Sequence, residues 1–133
     1  MDLDTARAFL TEHHRAVLVT RRADGGVQTS PVVVAPDAAG RVLVSTRTGS
    51  AKERNLTRDP RAALCVLTDA FFGAWVHVEG EAEVVRQPEA LPLLEDYYRA
   101  VSGEHPDWDD YRRAMVTDER VLVRITPTRA AGS

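Results

Sequence analysis

The chain has 133 residues, with 17 basic and 20 acidic side chains and a formal net charge of −3. That length suits one domain, residues 1–133, with a true core, and the charge argues against a general nucleic-acid binder, which needs a basic field. No apolar run approaches the roughly 20 residues that span a bilayer. Residues 1–7 lack the apolar stretch of a signal peptide, and Cys65 has no second cysteine to pair with. The expectation is a cytoplasmic protein with neither membrane nor nucleic acid as partner.

Ala6, Phe9, Leu10 and His13 recur at three- and four-residue spacing, which predicts a helix over 3–14 with Asp4 as its N-cap. Strands are predicted over 16–22, 27–35 and 41–46, joined by turns at 23–26 and 37–40 that carry Gly and Asp. These three read as a meander. Residues 48–59 change to a helical period. Ser50 and Glu53 form a capping-box pattern, and Asp59-Pro60 ends the helix, because a residue before proline is pushed out of the α region. A fourth strand covers 62–68. The fifth, 75–86, alternates clearly: Val76, Val78, Gly80, Ala82 and Val84 share one face, Trp75, His77, Glu79, Glu81 and Glu83 the other. Gly80 marks a bulge or a close backbone approach. Leu91, Leu94, Tyr98 and Val101 make a helical stripe stopped by Gly103. Residues 107–117 follow as a second helix, acidic at its start and basic later, as the helix dipole favours. A sixth strand covers 119–126. The fold class is α+β, a six-stranded antiparallel barrel with one helix after the third strand and a helix pair before the last.

Two stretches carry chemistry. In Ser45–Leu56 a strand runs through a hydroxyl- and glycine-bearing loop into a helix N-terminus, where free N–H groups and the dipole suit an anion. Lys52, the only lysine among 17 basic residues, and Asn55 share one helix face. The same residues also read as a capped surface helix with solvated charges. In Gln28-Thr29-Ser30-Pro31, Gln28 and Ser30 fall on one face, and a mid-strand proline belongs on an edge or beside a ligand. An ordinary polar edge strand reads the same way. Trp75 and His77 line a cofactor, a dimer contact or only the barrel surface. The four histidines have no metal-ligand spacing, so no metal is expected. Cys65 reads as an inert core residue, and Trp108 and Tyr111 as packing.

Three stretches resemble a known family: 26–32 (Gly-Val-Gln-Thr-Ser-Pro-Val), 51–62 with its Lys-Glu-Arg-Asn-Leu run, and 103–112 (Gly-Glu-His-Pro-Asp-Trp-Asp-Asp-Tyr-Arg). Together they make the chain similar to the pyridoxamine-phosphate-oxidase-like split β-barrel proteins, and in particular to the actinobacterial coenzyme F420-dependent reductases. The resemblance implies an FMN-binding-like split barrel, a homodimer, and a cofactor groove at the dimer interface. It implies that Lys52 binds the cofactor phosphate with Ser50 and Asn55 nearby, that Gln28, Ser30 and Pro31 lie along the ring system, that Val44, Ser45 and Thr46 contact it, and that Trp75 approaches it. Ser50 stands where relatives often have an arginine, and Arg47 is the candidate substitute.

The implied function is hydride transfer from reduced F420 to a small molecule, conjugated or quinone-like, with no protein acid or base nominated. The alternatives are an FMN-binding oxidase of the same fold and a non-catalytic carrier of F420 or a tetrapyrrole. Residues 68–73 are the expected selectivity loop. The aromatics Phe71, Phe72 and Trp75 are consistent with a dimer.

Overall fold

Alternation of small and branched residues at period two builds the sheet. In β1 (Arg15–Arg21), Ala16, Leu18 and Thr20 face inward and are buried, while Arg15, Val17, Val19 and Arg21 face out. The same alternation runs through β5 (Arg61–Leu67) and the first half of β6 (Trp75–Val85). The remaining strands are β2 (Val27–Val33), β3 (Ala35–Pro36), β4 (Val42–Arg47) and β7 (Arg120–Gly132). The helices are α1 (Leu3–Glu12), α2 (Ala51–Arg58), α3 (Ala90–Ser102) and α4 (Trp108–Thr117). This computed structural model describes all residues from Met1 to Ser133.

All seven strands form one antiparallel sheet in the order β2-β1-β5-β6-β7-β4-β3. Its two edges belong to one continuous stretch of chain. Residues 27–33 pair with β1, and residues 35–36 pair with β4. Between them Val34 is fully buried, and its N–H donates to His14 O at 2.7 Å. One segment therefore bridges both edges and curls the sheet into a split barrel, which removes unpaired edges. The expected meander is corrected here: β4 pairs with β3 and β7, not with β2. Because the switch at Val34 divides the second strand, the barrel has seven strands rather than six.

The last strand also outruns its expected end at 126. Residues beyond Pro127 pair with the start of β6 after a register shift at Glu79/Gly80. A β-carbon on Gly80 would collide with the Thr126 carbonyl, so the close approach anticipated at this glycine is real, and the bulge lets β7 continue past a proline.

The barrel interior is filled by Leu18, Leu64, Val66, Val76, Val78, Val123 and Ile125, with Leu10 of α1 and Leu56 of α2 closing on it. A second, smaller core lies outside the barrel. There Ala90 and Leu94 of α3 and Tyr111 of α4 cover Leu43 and Leu122 on the outer face of β4 and β7. Local signals at the helix ends mostly hold. Ser50 Oγ accepts from Glu53 N at 3.2 Å, Asp59 ends α2, and Gly103 stops α3 with φ 79°. Two details differ. The cap of α1 is Asp2, which accepts from Thr5 N at 2.7 Å, because α1 starts before Asp4. The Glu53 carboxylate does not reach back to Ser50 but pairs with Arg86 at 2.8 Å, fastening α2 to the end of β6. No helix is long and apolar enough to cross a membrane.

Candidate functional site

A groove of about 760 Å³ opens where the split of the barrel meets the helix pair. Pro31, Val32 and Val33 of β2 form one wall, with Arg15, Ala16, Val17 and Leu67 beside them. Ser45 and Thr46 of β4 and Lys52 of α2 form the floor and one end, and Tyr97, Tyr98, Tyr111, Met115 and Arg120 the opposite wall. Three cations line this groove and no carboxylate does. In a chain of net charge −3, that is a local reversal of sign. Arg15 is in an exposed ion pair with Asp69 at 3.3 Å. Lys52 takes part in none of the ion pairs, so its charge is unspent.

The Thr46 hydroxyl of the floor and that of Ser50, which is not in the lining, are already committed. Thr46 Oγ1 and Ser50 Oγ lie 2.9 Å apart, and Ser50 also caps α2. They hold the β4–α2 loop rather than a ligand, and the half-buried Lys52 rises from the first turn of the helix they cap.

The tyrosines are committed as well. Tyr97 donates to Val33 O at 2.8 Å and so ties α3 to β2. Tyr111 donates to Leu94 O at 2.9 Å. Burial pushes both phenols up, Tyr111 to about 12, with the charge of Tyr97 next in effect on it. A phenol of that kind, whose proton already serves a carbonyl, is a poor general acid. Tyr98 and Tyr111 of this wall are backed by His105 and Trp108, ring against ring at 4.9 to 5.7 Å, with the Arg99 guanidinium 4.3 Å from the Trp108 ring centroid. The 103–112 stretch is thus a scaffold behind the groove wall.

Among the residues expected at the site, Pro31, Ser45, Thr46 and Lys52 come together in this groove. Gln28 and Asn55 line a separate depression of about 420 Å³ between α2 and the β1–β2 turn, with Arg22, Arg54 and Arg58. Asn55 is buried there. Its Nδ2 donates to Thr20 Oγ1 at 3.1 Å, and its Oδ1 accepts from Arg58 at 3.0 Å, so it pins α2 to β1. Ser30 pairs with Leu18 on the barrel-facing side of β2, the face opposite Pro31. The Val44 side chain is in the barrel core, which leaves only its backbone for any ligand. Trp75 sits on the outer face directly across from Leu67, one strand away from the groove. Arg47 pairs with Asp118 at 3.7 Å and is not in the lining.

Sequence reading missed the whole helical wall and Arg120. The tyrosines looked like a packing stripe, and Arg120 carries no local signal at all.

The match to the family described as "Pyridoxamine 5'-phosphate oxidase" spans residues 3–132. The chain belongs to this family. A relative from Mycobacterium tuberculosis named "F420H(2)-dependent biliverdin reductase" is 30% identical over 131 residues, 98% of this chain and 87% of that one. Among solved structures, a conserved hypothetical protein of Mycobacterium tuberculosis superposes with a TM-score of 0.78 at 26% identity, covering 99% of this chain and 84% of the other. A structure titled "F420 Reductase" gives 0.71 at 22% identity over 94% of each chain, and a putative pyridoxamine 5'-phosphate oxidase from Listeria innocua gives 0.71 at 15%, covering 98% and 96%. The last two speak for the fold alone. What the groove offers is a lysine without an ion pair and a largely apolar strand wall of Pro31, Val32 and Val33.

Proposed function

We propose that this protein is a coenzyme F420-dependent reductase, a single cofactor-binding domain that works as a homodimer and passes a hydride to a small conjugated molecule. The observation that carries the reading is the unpaired Lys52 at the end of a cation-lined groove. The 30% identical relative, whose name specifies F420H(2), supports the choice of cofactor. When bound, the reduced deazaflavin supplies the hydride. The chain's own residues bind and orient. Lys52 holds the phosphate as a point charge. Pro31 and the β2 wall lie along the ring, and the Ser45 hydroxyl with the backbone of Ser45 and Thr46 sets its edge. Tyr97 and Tyr111 do not stand ready to give a proton, since both phenols donate to main-chain carbonyls.

What supports the dimer is the outer side of β2, β1, β5 and β6, over which the α3–α4 pair does not lie. Phe71, Phe72 and Trp75 are exposed there by 74%, 97% and 41%. Exposed apolar patches of this kind mark interaction surfaces. A second copy on that face would shield the open side of the groove and could bring its own Trp75 toward it. The second reading is an FMN-binding oxidase, in keeping with the oxidase activity that the family description names.

Titration with oxidised F420 and, separately, with FMN tests the proposal, followed by the fluorescence of Trp75 and of Trp108, which packs behind the groove. Micromolar or tighter F420 with much weaker FMN is expected. Tight FMN with weak F420 moves the protein to the oxidase reading, and binding of neither removes both.

A further inference from the structure

Glu119 is the single non-glycine residue with a positive φ, 52°, a backbone state that a β-carbon disfavours. Three hydrogen bonds hold it. Its N–H donates to Val116 O at 3.1 Å, and its carbonyl accepts from the N–H and the Oγ1 of Thr48, both at 2.9 Å. Backbone held in a sparsely populated state by its surroundings tends to sit at functional sites. The residue it aims is Arg120, whose own carbonyl accepts from Gln87 Nε2 at 3.2 Å and whose side chain lines the groove.

Arg120 is held there without being satisfied. Its Nε is buried and donates no hydrogen bond. The carboxylate oxygen beside it, Asp118 Oδ2, is 3.9 Å away, too far to accept, and it also serves Arg47 at 3.7 Å. Two guanidiniums over one carboxylate leave positive charge on the groove wall. Buried donors in native proteins nearly always find acceptors; Nε itself is closed off, but the guanidinium makes no hydrogen bond at all and the side chain is 28% exposed where it lines the groove, so the geometry leaves its outer N–H groups to an acceptor supplied by a ligand. Lys52, the groove's other cation without a close acceptor, is taken by the cofactor phosphate in the reading above, and Arg15 already has Asp69.

We infer that Arg120 is a second anion subsite that reads a carboxylate on the hydride acceptor, so that the substrate class is a conjugated carboxylate rather than a neutral enone or quinone. The planar guanidinium fork fits the two oxygens of a carboxylate, a match a lysine lacks. The inference rests on the cofactor reading, because an anionic group of the cofactor offers the same chemistry. The test therefore separates the two sources.

The probes are cinnamate and methyl cinnamate, an acid and its neutral ester with the same conjugated frame. Their dissociation constants are measured by tryptophan fluorescence on apo and F420-loaded protein, for the wild type, Arg120→Gln and Arg120→Lys, with F420 affinity measured alongside. The loaded wild type is expected to bind the acid about tenfold tighter than the ester, the scale of one charge-assisted hydrogen bond. Arg120→Gln should erase that preference, Arg120→Lys should keep part of it, and F420 affinity should stay within about threefold throughout. Equal binding of acid and ester by the wild type overturns the inference, as does failure to bind the acid or a preference that survives in Arg120→Gln. A loss of F420 affinity in Arg120→Gln without loss of acid preference assigns the guanidinium to the cofactor and also overturns it. Wild type that ignores F420 yet prefers the acid through Arg120 sinks the cofactor reading and leaves the subsite standing. If thermal melting shows Arg120→Gln unfolded, a reduced preference in Arg120→Lys supports the inference and an unchanged one overturns it.

Discussion

The outer face of the barrel has two halves built from the same kind of strand and treated in opposite ways. Over β4 and β7, Leu43 and Leu122 are 3% and 0% exposed, because α3 and α4 lie on them. Over β2, β1, β5 and β6, Val33, Phe71, Phe72 and Trp75 stay open to solvent. The chain supplied a second layer for one half only. Exposed apolar side chains grouped in this way often mark interaction surfaces. The groove runs along the border, with Val33, Leu67 and Arg15 from the bare half facing Tyr97, Tyr111 and Arg120 from the covered half. A ligand there touches both, and a partner on the bare half would complete its enclosure.

Breaking the covered half should cost most. Leu94→Ala removes a side chain that is fully buried between α3 and the sheet and should lower unfolding free energy by about 2–5 kcal/mol in denaturant titration. A loss under about 1 kcal/mol would mean that the helix pair is not a true layer. At the border, Lys52→Ala should weaken F420 binding by about 1.5–3 kcal/mol, the scale of a hydrogen bond to a charged group, with an unchanged melting temperature. An unaltered dissociation constant would remove Lys52 from the phosphate site.

On the bare half, Phe72→Asp should leave the unfolding of the isolated chain within about 0.5 kcal/mol. It should weaken self-association by about 2 kcal/mol, roughly thirtyfold. Sedimentation of both proteins over a concentration range reads this directly, and identical association would show that the aromatic loop is not in the interface.

A smaller effect sharpens how the covering layer is fastened. Glu95 of α3 pairs with Arg112 of α4 at 2.8 Å, and hydrogen bonding from Arg112 holds its carboxyl below the usual 4.5. A depressed folded-state value means stabilisation present above the unfolded value and lost as pH falls through the folded one. Glu95→Gln should therefore cost about 1 kcal/mol at pH 7, given the exposure of Arg112, and less at pH 3. A gap that widens in acid would contradict this. Asp59 acts in a neighbouring window. Hydrogen bonds from Arg61 hold it at about 2, so its share should fade between the ordinary carboxylate value and that point. The smallest change is expected from Glu119→Gly, which relieves the positive φ at the cost of a floppier unfolded chain and should stabilise by about 0.5 kcal/mol. Destabilisation would mean that the Glu119 backbone is not strained.

Particular residues show why some of the site was legible and some was not. Lys52 could be found because a capped helix following a Gly-Ser loop is a local pattern with a known use. Pro31 could be found because proline inside a strand needs a reason. Asn55 was placed near Lys52 by helical spacing alone, yet its amide is taken by Thr20, thirty-five residues earlier in the chain, as a structural pin to β1. Tyr97 and Tyr111 repeat at intervals that any packed helix shows, so nothing local separates a groove wall from a core. Arg120 is one of 16 arginines, and its distinction arises only from the orphaned Nε and the strained turn before it.

The sequence by itself determined what short-range physics controls: the period-two strands, the caps at Ser50 and Gly103, the stop at Asp59-Pro60 and the close approach at Gly80. These depend on sterics and hydrogen bonds within a few residues of each other. Only the tertiary structure decided that residues 27–36 serve both edges of the sheet, that β7 runs on to Gly132, and that the helix pair covers one half of the barrel and leaves the other bare. Those outcomes depend on which distant segments bury each other best, and the same alternating pattern is compatible with several pairings. The groove exists where these long-range choices meet, which is why Lys52 could be singled out in the sequence while Arg15 and Arg120 joined it only in the fold.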